Sequence, residues 1–298
     1  MQLLATTTWN SSDIIGTFLE YYRRLGVDRV LLMDFDSTDQ TQEIARSFGD
    51  FVSMVPYPGI ANLNSSNIML ALARERFGPD ARCLFCDPDE FLVVPDGVGA
   101  GQLGLHSERG ISIPRHNVTA RVSDVLERPD ELTPIGCLNL RIDRRAVRNV
   151  PQEMFLDELT PPWIYTAIPG KVSVRLGSAT AIGAGDHGAT FTNSEAIESA
   201  APGTYLLHYP FRRYGEFQEK IRLSRIDFAI NAYLPLSWGW QFRRWHRIAD
   251  EGWLKDEYLH QFVPDGAVQG LLEDGTLLVD DSVEKRWKGS KPGAGPAT

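Results

Sequence analysis

Blocks of apolar residues alternate with amphipathic segments along the first third of the chain, and the period of each block predicts an element. Leu3-Leu4-Ala5-Thr6-Thr7 reads as a short strand, and Ser11-Ser12-Asp13 offers a helix cap directly after it. The segment that follows carries Ile14, Ile15, Phe18, Leu19, Tyr22 and Leu25 on one face at helical spacing, and Gly26 stops it. Val30-Leu31-Leu32-Met33 is a continuous apolar run, the signature of a parallel strand buried on both faces. Ser37-Thr-Asp-Gln40 has the form of a capping box and predicts a second helix running through Phe48. Phe51-Val-Ser-Met-Val55 predicts the next strand. Ser65 to Phe77 predicts a third helix with Ile68, Leu72 and Phe77 inward, and Cys83-Leu-Phe-Cys86 a further strand.

Strand and helix in strict alternation predict a parallel α/β sheet with right-handed crossovers. Ligands of such sheets bind at the carboxyl ends of the strands, which directs attention to Thr7-Thr8, to Asp34-Phe35-Asp36 and to Asp87-Pro88-Asp89. The second half is less regular. Ile111-Ser-Ile-Pro114 and Lys171-Val-Ser-Val-Arg175 read as strands, and Tyr214 to Tyr233 as a helix. No element is read from Arg121 to Pro162, which is rich in charge and proline. Trp238 to Trp253 is aromatic and basic, and the run from Lys288 to Thr298 has the composition of a disordered tail. The division expected from this pattern is an α/β domain over 1–200, a helical extension over 201–287 and a tail over 288–298.

Composition narrows the function classes. The 298 residues suffice for a substantial core, and an apolar share of 43% is ordinary for a soluble globular protein. With 30 basic and 39 acidic side chains the formal net charge is -9, which disfavours a bulk nucleic-acid binder. An acidic protein that binds an anionic ligand must neutralise it locally, with a metal ion or with backbone amides. Cys83 and Cys86 form a C-x-x-C, but their segment is an apolar strand and no second pair exists, so buried structural cysteine is the expectation. The N-terminus lacks the pattern of a signal peptide, and no apolar run approaches the roughly 20 residues of a membrane span. A cytoplasmic protein is the expectation. The mixture of aromatics and arginines from Trp238 to Arg247 suits either a peripheral membrane contact or a helix packing its tryptophans inward, and the acidic charge of the rest favours the packed helix.

The strongest chemical signal is Leu84-Phe-Cys-Asp87-Pro-Asp89-Glu90-Phe91, an apolar strand that ends in D-x-D-E before a second apolar run. Carboxylates this close repel one another, and a divalent cation with hard oxygen ligands relieves the conflict while leaving positions for phosphate oxygens. The alternative is an acidic turn with no ligand. The second signal is Asp34-Phe-Asp36-Ser37-Thr-Asp39-Gln-Thr41, which delivers Asp34 from a strand end to a loop. Here the alternative is ordinary turn and cap chemistry.

Together these segments resemble the GT-A glycosyltransferases, family 2-like members in particular. The resemblance rests on Phe18-Leu19-Glu20-Tyr21-Tyr22 through Leu25-Gly26-Val27-Asp28, on Asp36-Ser37-Thr38-Asp39-Gln40-Thr41, and on Asp87-Pro88-Asp89-Glu90-Phe91, in that order over about the first 95 residues. It implies a Rossmann-like, mixed and mostly parallel sheet flanked by helices, with a more irregular helical C-terminal part. It implies a nucleotide diphosphate sugar as donor, a sugar or lipid-linked acceptor, and Mn2+ or Mg2+ as cofactor, in the manner of enzymes of polysaccharide biosynthesis. By the same resemblance Thr7, Asp34 and Asp36 would lie at the base and ribose, Asp87 would contact ribose or metal, and Asp89 would ligate the metal. The family often has two adjacent aspartates where this chain has Asp34-Phe35, which leaves the nucleotide base open. His187, in Gly185-Asp186-His187-Gly188, is the candidate for a histidine that completes the metal shell. Lys171 and Arg175 would face the diphosphate, and His208 and Lys220 would bind phosphate or close over the donor, the alternative for the last two being a packed helix with a basic face.

An inverting transferase needs a carboxylate to deprotonate the acceptor hydroxyl. Glu153, Asp157, Glu158 and Asp186 are candidates, with Asp157 foremost because Trp163-Ile-Tyr165 follows it and suits a sugar ring, and Asp186 beside it. Three other readings stand beside it. A sugar-1-phosphate nucleotidyltransferase would want a Gly-rich N-terminal loop, and Met1 to Asn10 has no glycine. A non-catalytic nucleotide or carbohydrate-binding module would not hydrolyse a donor, and a redox protein would need a low-pKa thiol at Cys83 or Cys86.

Overall fold

The computed structural model describes residues 1–57, 64–143, 145, 162–192, 196–231 and 239–289. The strands run β1 (Gln2–Thr8), β2 (Arg29–Asp34), β3 (Val52–Val55), β4 (Arg82–Phe85), β5 (Glu90–Val93), β6 (Gly110–Ile113), β7 (Arg115–Thr119), β8 (Leu140–Ile142), β9 (Lys171–Arg175), β10 (Ala179–Ile182), β11 (Ala189–Phe191), β12 (Glu198–Ser199), β13 (Tyr205–His208) and β14 (Leu277–Val279). The helices run α1 (Ile15–Leu25), α2 (Thr41–Ser47), α3 (Ser65–Phe77), α4 (Val122–Glu127), α5 (Tyr214–Ile230), α6 (Trp240–Asp250), α7 (Leu254–His260), α8 (Asp265–Glu273) and α9 (Ser282–Gly289). The chain forms two compact units, one of Met1–Arg115, Pro169–Leu207 and Lys285–Thr298, the other of His116–Ile168 and His208–Glu284. Both are discontinuous, so the division falls elsewhere than the expected boundary near residue 200.

The first unit holds a sheet of order β12-β6-β9-β4-β1-β2-β3. Strands β4, β1, β2 and β3 are parallel neighbours, and β9 runs antiparallel between β4 and β6. This is the expected architecture, a mixed and mostly parallel sheet with helices on it. The apolar runs behave as predicted: Val30, Leu31, Leu32 and Met33 are all fully buried. Leu3, Ala5, Leu31, Met33, Cys83, Phe85, Val172 and Val174 share one core cluster with Met69, Leu70 and Ala73 of α3. On α1, Ile15, Phe18, Leu19, Tyr21, Tyr22 and Leu25 are buried, and the Tyr22 hydroxyl donates to the Glu90 carbonyl at 2.9 Å. Gly26 ends α1 in the left-handed conformation at φ 89°, and its N–H and that of Val27 close onto Arg23 and Tyr22 carbonyls.

Three local expectations are corrected. The Ser37 capping box does not form, because the Ser37 hydroxyl donates to Asp34 Oδ2 at 2.6 Å; α2 begins at Thr41, whose N–H is held by Asp39 Oδ1 at 2.9 Å. On α3 the deepest face is Met69, Leu70 and Ala73, while Ile68, Leu72 and Phe77 pack at its margin. Lys288 and Gly289 close α9, so the expected tail does not open at 288, while its other residues, 290–298, lie outside the described ones; the Arg24 guanidinium lies 4.6 Å over the ring of Trp287 in that helix.

The second unit is built on antiparallel β7-β8-β14 with helices α4 to α8. Its core is aromatic. Phe211, Phe217, Trp245, Tyr258 and Phe262 are buried; Phe211 and Trp245 meet Trp163 edge-on, Phe217 packs on Trp245, and Tyr258 on Phe262. Trp245 Nε1 and the Arg244 guanidinium both donate to the Glu257 carboxylate at 3.1 Å, which turns the basic α6 inward as the packed-helix expectation requires. Trp253 is the exception, 62% exposed. Among the described residues no helix is long and apolar enough to cross a membrane.

Candidate functional site

The strand order places the topological switch between β1 and β4: β1, β2 and β3 step one way, and the chain then crosses to β4 on the other side of β1. Open α/β sheets bind ligands at this point. The carboxyl end of β4 delivers Cys86 and Asp87 there. Antiparallel β9 begins at the same edge, since Phe85 pairs with Val172 and Lys171 therefore stands one step beyond. Along β9 the core residues Val172 and Val174 alternate with Lys171 and Ser173, as a pleated strand requires.

The D-x-D-E segment folds into a tight turn. The Glu90 N–H donates to the Asp87 carbonyl at 3.1 Å, and the Asp87 N–H donates to Glu90 Oε2 at 2.9 Å. Glu90 is completely buried and its other oxygen accepts from the Arg115 guanidinium, which also donates to the Pro169 carbonyl at 2.7 Å. Lys171 is equally buried. Its Nζ donates to Asp87 Oδ2 at 2.7 Å and to the Gly185 carbonyl at 2.9 Å, with Glu90 Oε2 at 3.6 Å and Asp186 Oδ2 at 3.7 Å. The Asp186 side chain also accepts from the Ser66 hydroxyl at the start of α3. Asp186 sits at φ 63°, a conformation uncommon outside glycine and enriched at functional sites.

Electrostatics follow from this geometry. Burial works to raise the Asp87 carboxyl, but the charge and hydrogen bond of Lys171 together with the charge of Arg115 hold Asp87 below its ordinary value. Burial pushes Glu90 up to about 7, against the pull of Lys171 and Arg115. Burial likewise raises Asp186, only partly opposed by Lys171. The lysine is itself held charged: burial disfavours its ammonium, and Asp87, Glu90 and Asp186 together raise it above its ordinary value. Asp89 stands at the same turn, 9% exposed, and its charge works upward on Asp87 and Glu90. Four carboxylates thus face two cations. The cluster carries two negative charges when all are ionised and one when Glu90 holds its proton.

His187 follows directly. Its Nδ1 lies 2.9 Å from the Gly170 carbonyl, which only accepts, so that nitrogen carries the proton and Nε2 presents a lone pair. Burial, reinforced by Lys171 and Arg115, pushes the imidazole down to about 4, so it is neutral at pH 7. Gly185 is required beside it. At φ 65° its carbonyl turns toward Lys171, and a Cβ there would meet His187 Nε2 at 2.7 Å.

The other sequence candidates divide. Thr7 is half-buried near the carboxyl end of β1, and Asp36 is exposed at φ 55° in the loop after β2. Asp34 is buried and turned onto its own loop: Oδ1 accepts from the Ser37 N–H at 2.8 Å and from Gln42 Nε2 at 2.6 Å, and Oδ2 from the Ser37 hydroxyl. That loop is stapled to the one after β1, since Asn10 N–H donates to Ser37 Oγ, Ser11 N–H to Thr41 Oγ1, and Thr38 N–H to Asn10 Oδ1, all within 2.8 Å. The D-x-S-x-D-x-T motif therefore shapes the rim of the switch point through turn chemistry. Glu20 pairs with Arg24 on its own helix at 2.7 Å. Lys171, expected to face a diphosphate, is instead committed to protein oxygens, and Arg175 pairs with Asp80 at the opposite end of β9. His208 and Lys220 belong to the second unit, where His208 Nδ1 lies 2.8 Å from Asn117 Oδ1 and Lys220 rides on α5. Asp157, Glu153 and Glu158 lie outside the described residues.

Arg115, Ser66 and Gln42 were not singled out from the sequence. Arg115 left one signal, a charge directly after the apolar strand Ile111–Pro114. Cys83, Cys86 and Cys137 are free and buried, and burial raises each thiol, so the C-x-x-C is structural as expected. Among the described residues no group of three His, Cys, Asp or Glu side chains is spaced to hold a metal ion by itself.

No protein-family model matches the sequence, and no curated protein matches it. Among solved structures the chain is similar to glucosyl-3-phosphoglycerate synthase from Mycobacterium tuberculosis in complex with phosphoglyceric acid, at 17% identity and a TM-score of 0.28 over 46% of this chain and 55% of that one. It is also similar to a mycobacterial protein at 16% identity and a TM-score of 0.31, over 59% of this chain and 53% of the other. The chain spans about half the length of each. Likenesses this weak carry no argument about the site.

Proposed function

We propose that the protein is a glycosyltransferase that moves a sugar from a nucleotide diphosphate to an acceptor hydroxyl with inversion at the anomeric carbon. One observation carries the reading: the D-x-D-E turn stands at the carboxyl end of β4, beside the topological switch, and keeps negative charge that Lys171 and Arg115 do not cancel. Residual negative charge repels a diphosphate unless a cation comes between them. The donor chemistry suits Mg2+ or Mn2+, which bind through one or two carboxylates together with substrate phosphates and do not need a cage made wholly of protein. Asp89 and the second oxygen of Asp87 would hold it together with phosphate oxygens of the donor, without the expected third ligand His187, which forms no metal-spaced group of three with them. When bound, the ion supplies Lewis-acid stabilisation of the departing diphosphate.

The chain's own residues do the rest. Arg115 and Lys171 fix the turn so that Asp87 and Asp89 keep one geometry, a positional contribution that lowers the cost of assembling the reactants. The rim made by Asp34, Ser37, Asn10 and Thr41 sets the wall at which Thr7 and the exposed Asp36 would meet base and ribose. Asp186 is the described carboxylate best suited as general base. It is held by Ser66, its basicity is raised by burial, and it lies within the same cluster. The acceptor oxygen attacks the anomeric carbon as its proton passes to Asp186. The bond from that carbon to the diphosphate breaks, and its electron pair leaves with the diphosphate.

A thermal-shift screen of nucleoside diphosphates with and without Mn2+, on the wild type and on Asp89→Ala, tests this. One nucleotide should stabilise the wild type in a metal-dependent way, by about 2.7 kcal/mol at a hundredfold excess over its dissociation constant, and the variant should lose the effect. No stabilisation by any nucleotide with metal would refute the reading. Stabilisation without any donor hydrolysis would leave a binding module on the same fold.

A further inference from the structure

The Lys171 ammonium has surroundings that a bound cation would have. Its Nζ is sealed from solvent and meets oxygens of Asp87, Gly185, Glu90 and Asp186 between 2.7 and 3.7 Å. These come from the turn after β4 and from the 3-10 turn Ala184–Asp186. The Gly185 carbonyl joins the set only because the left-handed glycine turns it inward. A lysine that served a phosphate would hold its amine toward the open end of the strand. This one spends two donors on the protein at hydrogen-bond distance and is 1% exposed.

We infer that Lys171 is the resident cation of this site: it holds Asp87, Glu90 and Asp186 together in the free protein and keeps a divalent ion from binding those carboxylates by itself. The consequence is directional. A dication approaching Asp87 meets the fixed positive charge of Lys171, so the carboxylates alone bind it weakly. A diphosphate brings negative charge of its own and offsets that repulsion, so metal and nucleotide enter together. This last step rests on the transferase reading, whereas the role of Lys171 in the free protein does not. Lys171 is a positioning residue here, acting through Asp87 and Asp186.

Mn2+ binding to the full chain, followed by electron paramagnetic resonance of the free ion, reads the inference without any turnover. In wild type with no nucleotide, the expected result is no site tighter than about 1 mM. Lys171→Met, which removes the charge and keeps most of the stem, should tighten Mn2+ binding by at least about tenfold. Lys171→Arg keeps the charge and should stay weak. A merely structural lysine predicts the opposite for Lys171→Met, unchanged or weaker binding, and that result overturns the inference. A micromolar site in the nucleotide-free wild type overturns it as well, and this measurement stands even if Lys171→Met does not fold. Adding ADP, GDP, UDP or CDP singly to the wild type separates the two readings. If none of them tightens Mn2+ binding while the nucleotide-free results hold, the transferase reading fails and the resident cation remains.

Discussion

Glu90→Gln is the substitution whose outcome this site determines most sharply. Glu90 is completely buried, and the rise of its carboxyl from an ordinary 4.5 to about 7 expresses a preference of about 3 kcal/mol for the neutral form in the folded protein. The folded value lies above the unfolded one, so the folded protein holds this proton more tightly. The stability that Glu90 contributes is therefore full below about pH 4.5 and is lost as pH rises to about 7. Glutamine imitates the neutral acid and does not titrate. At pH 5 the variant should be less stable than wild type by about 1–3 kcal/mol, because the amide cannot satisfy both Arg115 and the Asp87 N–H. At pH 8 that deficit should have shrunk by about 3 kcal/mol or changed sign. Urea unfolding of both proteins at steps from pH 5 to pH 8 measures the difference directly, and subtraction removes the groups they share. A deficit that stays flat or grows with pH would refute the reasoning, since it would mean that Arg115 and Lys171 hold Glu90 ionised against burial.

Two further outcomes follow from other parts of the molecule. Asp34→Ala removes the acceptor for three hydrogen bonds from Ser37 and Gln42, and should cost about 2–3 kcal/mol in thermal or urea unfolding; a loss under 1 kcal/mol would mean that the loop holds itself without Asp34. Ellman's reagent should find no reactive thiol in the native protein and three after unfolding, whereas a fast native thiol would restore a redox role to Cys83 or Cys86.

Much of the first unit was legible from its sequence because parallel strands buried on both faces advertise themselves as unbroken apolar runs. Val30–Met33 and Cys83–Phe85 needed no tertiary information. The Ser65–Phe77 helix was placed at its true ends, but its inward face was not, since Met69 and Ala73 outcompete Ile68 and Leu72 only once the sheet is there to pack against. The capping box failed for a related reason. Ser37 has two uses, capping or bonding to Asp34, and the sharp turn at the end of β2 decides between them. The acidic turn was visible as chemistry, while its partner was visible only as a residue type. Nothing local says that Lys171 meets Asp87, because that contact depends on β9 returning antiparallel beside β4. Arg115 was hidden in the same way.

That return has a consequence during synthesis. Asp87 and Lys171 are 84 residues apart, and the intervening chain includes the whole first segment of the other unit, His116–Ile168. At roughly 5–20 residues per second, the acidic turn leaves the ribosome several seconds before its lysine is made. Through that interval Glu90 has no ammonium beside it, and dehydrating the end of β4 is unfavourable. The nascent first unit is thus held open at its carboxylates, with the parallel strands β1 to β4 already available, until β9 brings one amine to them.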